Sequence, residues 1–166
     1  GGNGRIEITY TSIFQSYCLP SFNNGIEPIT NVTFAGINNN STNALGGPSL
    51  ESFCITGSVV QGSTSNVISV KGNTDGNFTE FIKVYIDWDQ NGFFGNATNE
   101  IYDLGTITNS TGVDSKFATA SISVPVTAIL GNTKMRVMKA YTVANSNNPC
   151  FSGNDWGQAE DYLIKV

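Results

Sequence analysis

Histidine is absent from this chain of 166 residues. Its absence excludes Ser-His-Asp and Cys-His catalysis and zinc sites with histidine ligands. Charged residues are also scarce, at 13%, and the formal net charge is −5. With only 8 Lys and Arg residues, the chain lacks the basic surface that attracts nucleic acids or anionic membranes. We therefore expect neither nucleic acid nor a membrane as a partner.

Long apolar segments are missing too. No apolar run approaches the ~20 residues of a membrane span. The first residues, Gly1-Gly2-Asn3-Gly4, contain neither an initiator Met nor the apolar core of a signal peptide. We expect a piece of a longer precursor, with residues 1–4 as a linker remnant and residues 5–166 as one domain.

Short runs of β type dominate what remains, and turns rich in Asn and Gly separate them. The runs are Arg5–Tyr10, Ile29–Phe34, Phe53–Ile55, Val67–Val70, Phe81–Ile86, Ala118–Val124, Met135–Tyr141 and Asp161–Val166. No segment carries a helical repeat, although residues 126–130 have room for one turn. The pattern predicts an all-β fold, an antiparallel β-sandwich of Ig-like or jelly-roll-like type with long Asn/Gly-rich loops.

Five landmarks, in order, resemble those of the GEVED domain. They are Tyr17-Cys18, Ile29–Asn39, Lys83–Phe94, Lys134–Met138, and a Pro149-Cys150 pair followed by Gly157-Gln158-Ala159-Glu160-Asp161-Tyr162. Gln158 and Ala159 replace the first Glu and the Val of the naming motif. The resemblance runs from about Tyr17 to Val166. It implies a non-catalytic β-sandwich module of a secreted bacterial protein, joined in the same precursor to a catalytic domain.

The chain has three cysteines, and spacing alone cannot choose among the three single pairs they allow. The resemblance implies a disulfide between Cys18 and Cys150, which match the family's Tyr-Cys and Pro-Cys pairs. Cys54 lies between Phe53 and Ile55 in an apolar run. We therefore expect Cys54 to be buried and reduced.

An acidic loop follows the run that ends at Ile86. Asp87, Asp89, Asn91 and Gly92 form an Asp-x-Asp-x-Asn-Gly pattern, and Glu100 comes later. Alternate oxygen side chains with a Gly at the sharp turn are typical of loops that wrap around calcium. The pattern predicts a structural Ca²⁺ site.

The rest of the predicted calcium shell departs from an EF-hand, because the twelfth position is Thr98 rather than Glu. We expect Glu100 to close the shell instead, with the backbone carbonyl of Phe93 as a further ligand. The alternative is a hairpin whose Asp and Asn side chains bond local backbone amides without metal.

Glu160 and Asp161 are adjacent in the last predicted strand and therefore point to opposite faces. They cannot form a glycosidase acid–base pair by themselves. A buried carboxylate needs a partner, and Arg136 can satisfy one through its planar guanidinium. We expect a structural ion pair between Arg136 and Glu160, without a role in ligand binding.

A candidate ligand surface combines basic and aromatic side chains. If neighbouring strands align their polar ends, Lys83, Tyr85, Lys139 and Tyr141 form a patch suited to an anionic sugar chain. The alternative is that these are solvated residues of a sheet face. Trp156, among small polar residues of a loop, is the second candidate platform.

Three functions follow from these observations. The first is a non-catalytic carbohydrate-binding module of a secreted bacterial polysaccharide-degrading enzyme, holding it on an extracellular and sulfated polysaccharide. The second is a protein-substrate-binding or structural accessory domain of a secreted bacterial protease. The third, an enzyme with a carboxylate site, is disfavoured by the missing histidine and by the absence of a plausible carboxylate pair.

Overall fold

The computed structural model describes residues 17–166. The linker remnant predicted over residues 1–4 and the strand predicted over Arg5–Tyr10 lie outside the described residues. The described strands are β1 (Ser21–Phe22), β2 (Ile29–Phe34), β3 (Ile37–Asn40), β4 (Leu50–Ser58), β5 (Asn66–Gly72), β6 (Thr79–Ile86), β7 (Ile101–Thr108), β8 (Ala118–Ile122), β9 (Asn132–Ala140), β10 (Ser152–Gly153) and β11 (Gly157–Lys165). A 3-10 turn spans Thr98–Glu100, and the four-residue helix α1 spans Val143–Ser146.

Two sheets pack face to face, so the predicted all-β sandwich is confirmed. The larger sheet has the order β4-β11-β9-β6-β7 and the smaller the order β3-β2-β5-β8. The smaller sheet is antiparallel throughout, but β11 pairs with β4 in parallel. The larger sheet is therefore mixed rather than purely antiparallel. The strands β1 and β10 form a separate parallel pair.

Alternation along β6 builds the core between the sheets. Ile82, Val84 and Ile86 are fully buried on the face toward the smaller sheet. Tyr85, between them, belongs to a second buried cluster on the outer face, together with Phe94. Since loops cover that outer face as well, the central strands of the larger sheet are buried on both sides. Any charged side chain there needs a partner within the protein.

Two strands of the main sheets, β3 and β7, were not expected from the sequence, and each contains a residue type that is depleted in strands, Asn in β3 and Gly in β7. β3 reads INNN and β7 contains Gly105. In β3 the polar side chains still bond across the ladder: Nδ2 of Asn31 donates to the Oδ1 atoms of Asn38 and Asn40, at 3.1 and 3.0 Å. Cross-strand pairing thus stabilises a strand that composition disfavours.

The disulfide between Cys18 and Cys150 is confirmed, with Cα atoms 5.4 Å apart. In the chain-entropy model, closing a loop of 132 residues contributes about 5 kcal/mol of stability. Cys54 is free, as expected, but the prediction that it is buried was wrong, since its side chain is exposed. It lies on β4, an edge strand, where Phe53 turns inward against Tyr162 and directs the next side chain outward.

Candidate functional site

A buried arginine organises the outer face of the larger sheet. Arg136 is 0% exposed and binds Asp161 through both ends of its fork, Nε to Oδ1 at 2.7 Å and Nη2 to Oδ2 at 2.8 Å. Its Nη1 donates to the carbonyl oxygens of Cys18 and Pro149 at 2.9 and 2.8 Å. The guanidinium lies 4.7 Å from the ring centroid of Phe94. One side chain therefore connects β9, β11, both ends of the disulfide and the acidic loop.

The predicted ion pair between Arg136 and Glu160 was wrong, because Glu160 faces the opposite side of β11. Its Oε2 accepts a hydrogen bond from the Tyr162 hydroxyl at 2.5 Å, and its Oε1 accepts one from Ser41 Oγ at 2.9 Å. Adjacent strand residues point to opposite faces, and here both faces are buried. Burial raises the pKa of Glu160 from its ordinary 4.5 to about 7.

This carboxyl predicts a pH-dependent stability. A raised folded-state pKa means that the native protein binds more protons than the unfolded chain between pH 4.5 and about 7, so this contribution is complete below that window and lost above it. The rise corresponds to about 3 kcal/mol. In urea titrations across this pH window, the free energy of unfolding of the wild type should fall by about this amount because of Glu160. Glu160→Gln should remove that fall. If the free energies of unfolding of the two proteins depend on pH in the same way, Glu160 is not the group responsible.

The first two residues of the motif have structural roles of their own. Gly157 has φ +149°, and a Cβ there would collide with the Lys139 carbonyl oxygen, so only glycine fits. Gln158 is buried, and its Oε1 accepts from the Ile29 amide at 2.8 Å while its Nε2 donates to the Pro48 carbonyl at 3.2 Å. A carboxylate could not donate the second of these bonds.

The acidic loop brings three of the predicted metal ligands together. One carboxylate oxygen from each of Asp87, Asp89 and Glu100 lies within 4.8 Å of the others. Asp87 and Glu100 are 0% and 1% exposed, whereas Asp89 is exposed. Burial, followed by the charges of Asp89 and Asp87, raises the pKa of Glu100 to about 7. The cluster therefore concentrates negative charge where water reaches only one member.

Local hydrogen bonds shape this loop. Asp87 accepts from the amides of Asn91 and Gly92 at 3.1 and 2.8 Å. The Asn91 side chain accepts from the Phe93 amide and donates to Asp89, so it is engaged within the loop. These are the bonds that a metal-free hairpin also makes. They leave Oε2 of Glu100 buried without a hydrogen-bond partner within residues 17–166. The Phe93 carbonyl as a ligand stays a prediction.

The patch predicted from Lys83, Tyr85, Lys139 and Tyr141 does not form. Lys139 shares its face with Val137, as expected, but that face is the interior, and the lysine is 0% exposed in an ion pair with buried Glu80. Lys83 and Tyr85 lie on the opposite face of the sheet.

The two outer-face residues of that patch are engaged elsewhere. Lys83 pairs with Asp103 at 2.8 Å. Tyr85 is 1% exposed, and its hydroxyl donates to the Ser146 carbonyl at 2.7 Å. Because loops cover the outer face, neither residue is a solvated sheet residue of the kind that a ligand patch requires.

Tyr141 and Trp156 do come together, and Phe78 joins them. The ring centroids of Tyr141 and Trp156 are 5.8 Å apart, and those of Phe78 and Tyr141 are 6.0 Å apart, both edge to face. The three side chains are 41–49% exposed and, with Glu27 and Asp75, line a cavity of about 250 Å³. We call these five residues the aromatic pocket.

Buried hydrogen bonds hold the loop that carries Trp156. Asp155 is 1% exposed and accepts from the Thr142 amide and hydroxyl at 3.1 and 3.2 Å and from Asn145 Nδ2 at 2.8 Å. The Tyr141 amide donates to the Trp156 carbonyl at 3.0 Å. Two of the three exposed rings are therefore positioned by the protein before any ligand arrives, which lowers the entropic cost of binding.

Comparison with protein-family models finds the GEVED domain over residues 81–165. That match covers half of the chain. The chain belongs to the GEVED domain family. Neither the curated proteins nor the solved structures that were compared with it gave a match.

The landmarks Tyr17-Cys18 and Ile29–Asn39 precede the matched part of this GEVED domain, yet Tyr17 and Cys18 meet it in space. The Tyr17 hydroxyl donates to Asp87 at 2.7 Å, and Cys18 contacts Arg136. No helix among residues 17–166 is long and apolar enough to cross a membrane.

Sequence reasoning missed Phe78, Glu27 and Asp75 in the aromatic pocket. Phe78 carried one local signal, since it is a large apolar residue directly after the polar turn Asn73–Asn77. Glu27 and Asp75 carried none, because they come from loops distant in sequence from Tyr141 and Trp156. Only the closure of the sandwich places them beside the rings.

Proposed function

We propose that this GEVED domain is a non-catalytic module that binds extracellular polysaccharide in the aromatic pocket. The observation that carries the proposal is the cluster of three half-exposed rings around a cavity with carboxylates at its wall. Aromatic faces cover the C–H surfaces of pyranose rings, and fixed carboxylates accept hydrogen bonds from sugar hydroxyls. The rings are held in place, which suits a hydrated ligand that offers little binding energy.

The charge of the pocket changes the expected ligand. A sulfated chain was expected because of the patch with Lys83 and Lys139, and that patch does not exist. Glu27 and Asp75 line the pocket instead, and carboxylates repel sulfate groups. The proposal is therefore limited to polysaccharides without anionic groups.

A purely binding role is part of the proposal. Asp161 is held by Arg136 and Glu160 by two hydroxyl groups, so the naming motif offers no free acid–base pair. We further propose a secreted bacterial precursor in which a catalytic domain accompanies this one. The disulfide supports this view, since such bonds persist in oxidising compartments.

The test is binding by the variant Trp156→Ala. Wild-type domain should bind at least one neutral or basic glycan in affinity gel electrophoresis and calorimetry, with dissociation constants on the order of micromolar to millimolar. Loss of one stacking ring should weaken binding about tenfold or more. Phe117→Ala is the matched control, because this ring is 52% exposed but lies outside the pocket.

Equal binding by wild type and Trp156→Ala would contradict the pocket. The rival function, recognition of a protein substrate or a structural role beside a protease, uses the same exposed rings. Pull-down on insoluble collagen or elastin, with no glycan bound, would favour that rival.

We also propose that the acidic loop binds a structural calcium ion through Asp87, Asp89 and Glu100. Calcium prefers six to eight oxygen ligands, carboxylates among them. The buried Oε2 of Glu100 has no hydrogen-bond partner within the described chain, and a cation is the partner that its position beside two carboxylates favours. The ion would be structural, because no base stands beside it to activate a substrate.

A further inference from the structure

The aromatic pocket carries a negative charge that its role in stacking sugars does not explain. Glu27 is 6% exposed, lines the pocket, and has one carboxylate oxygen, Oε2, without a hydrogen-bond partner in residues 17–166. A buried acceptor left without a donor is costly in a folded protein. Such a group at the wall of a cavity indicates that a ligand supplies the missing donor.

Other carboxylates surround Glu27. Burial raises the pKa of Glu27, the positive charge of Lys139 opposes this rise, and the charges of Asp75 and Asp155 add to it. Asp75 lines the same pocket and is exposed. None of the five lining residues is basic, so the wall of the pocket presents carboxylates and ring faces to a ligand.

One cation of the described chain, Lys139, lies near this wall and offsets only part of its charge. Lys139 lies in the interior, where its Nζ forms an ion pair with buried Glu80 and donates to the backbone carbonyl of Glu27 at 2.9 Å. The lysine is thus in direct contact with Glu80 and a carbonyl oxygen and attracts the Glu27 carboxylate from farther away. Within the described chain, the Glu27 carboxylate has no direct ion pair.

From this arrangement we infer that the aromatic pocket selects sugar residues bearing a protonated amino group, as in polysaccharides with unacetylated amino sugars. An ammonium group offers three donors and is attracted both by the faces of Trp and Tyr rings and by carboxylates. The inference rests on the proposed polysaccharide-binding function and adds the chemical class of the ligand.

The experiment compares oligosaccharides of equal length that differ in one group. Oligomers of glucosamine, oligomers of N-acetylglucosamine and a neutral β-glucan oligomer are titrated into the domain at a pH that keeps the amines protonated and the carboxylates of the pocket ionised. We expect the glucosamine oligomer to bind at least tenfold more tightly than the acetylated one. Its affinity should fall as salt rises, because exposed ion pairs are screened.

Two variants assign the selectivity to the pocket. Glu27→Gln keeps the shape of the side chain and should reduce glucosamine binding about tenfold, with the neutral glycans unaffected. Asp75→Asn, at an exposed position with φ +45° that Asn tolerates, should act in the same direction without risk to folding. Asp103→Asn, which removes an exposed carboxylate outside the pocket, should bind like the wild type.

The outcomes separate this inference from the proposed function. Equal affinity for acetylated and unacetylated oligomers, lost with Trp156→Ala, would overturn the inference and leave polysaccharide binding intact. Unchanged binding by both carboxylate variants would overturn it as well. Binding of an oligolysine peptide and of no glycan would overturn both, since the occupant would then be a protein.

Discussion

Replacing Arg136 by Met should lower the free energy of unfolding by about 3 to 5 kcal/mol, which is the cost of removing one partner of a buried ion pair. The side chain is fully buried, and Asp161, at 3% exposure, would lose both bonds of the fork. The carbonyl oxygens of Cys18 and Pro149 would lose their donor too. Met keeps much of the packing volume, so the loss reports on charge and hydrogen bonding.

Urea unfolding with the disulfide intact measures this effect. The double variant Arg136→Met/Asp161→Leu should recover part of the loss, since no unpaired charge then stays buried. Lys83→Met is the control for an ion pair that water reaches: Lys83 is 14% exposed but its partner Asp103 is 65% exposed, so the change should cost less than about 1 kcal/mol. A cost for Arg136→Met as small as that of the control would contradict its central role.

The position of Arg136 gives the family landmarks a common physical basis. The Tyr-Cys pair, the Pro-Cys pair and the Asp of the naming motif all contact this guanidinium or the acidic loop beside it. Cys18 and Asp161 are far apart in sequence, yet they meet on one face of the larger sheet. The contacts of the motif therefore stabilise the domain.

The sequence was sufficient for the features that depend on local pattern. The run Phe81–Ile86 predicted the strand β6, and the resemblance predicted the disulfide. Local pattern was insufficient where both faces of a strand are buried, because a sheet covered only on its core side would have left Tyr85 or Asp161 in solvent. Which carboxylate Arg136 selects depends on the register of β9 with β11, where Asp161 stands opposite Arg136.

The prediction of a ligand surface shows the same limit more strongly. Lys139 and Tyr141 follow the same alternation, but β9 ends between them, so the lysine stays inside while the tyrosine emerges. A charged residue in the sequence predicts a binding surface only if its side chain reaches solvent in the fold. Here Lys139 of β9 lies in the interior, and the charged residues that line the aromatic pocket, Glu27 and Asp75, are carboxylates.

Calcium should stabilise the domain by an amount set by its concentration relative to the dissociation constant. The gain is about 2.7 kcal/mol at a hundredfold excess and about 4 kcal/mol at a thousandfold excess, which for a domain of this size raises Tm by about 5 to 15 °C. The physical reason is the relief of repulsion among Asp87, Asp89 and Glu100. Chelator-treated protein, scanned calorimetrically with and without added CaCl₂, measures the shift.

The variant Glu100→Gln separates binding from folding. Without calcium it should be at least as stable as the wild type, because a neutral amide removes a buried charge from beside two carboxylates. With calcium it should gain little, since a charged ligand is lost. Asp103→Asn, which removes a carboxylate outside the cluster, should keep the full response. If metal-free wild type already melts at the calcium-loaded temperature and binds no ion in equilibrium dialysis, the loop is a hairpin held by its own Asp and Asn hydrogen bonds.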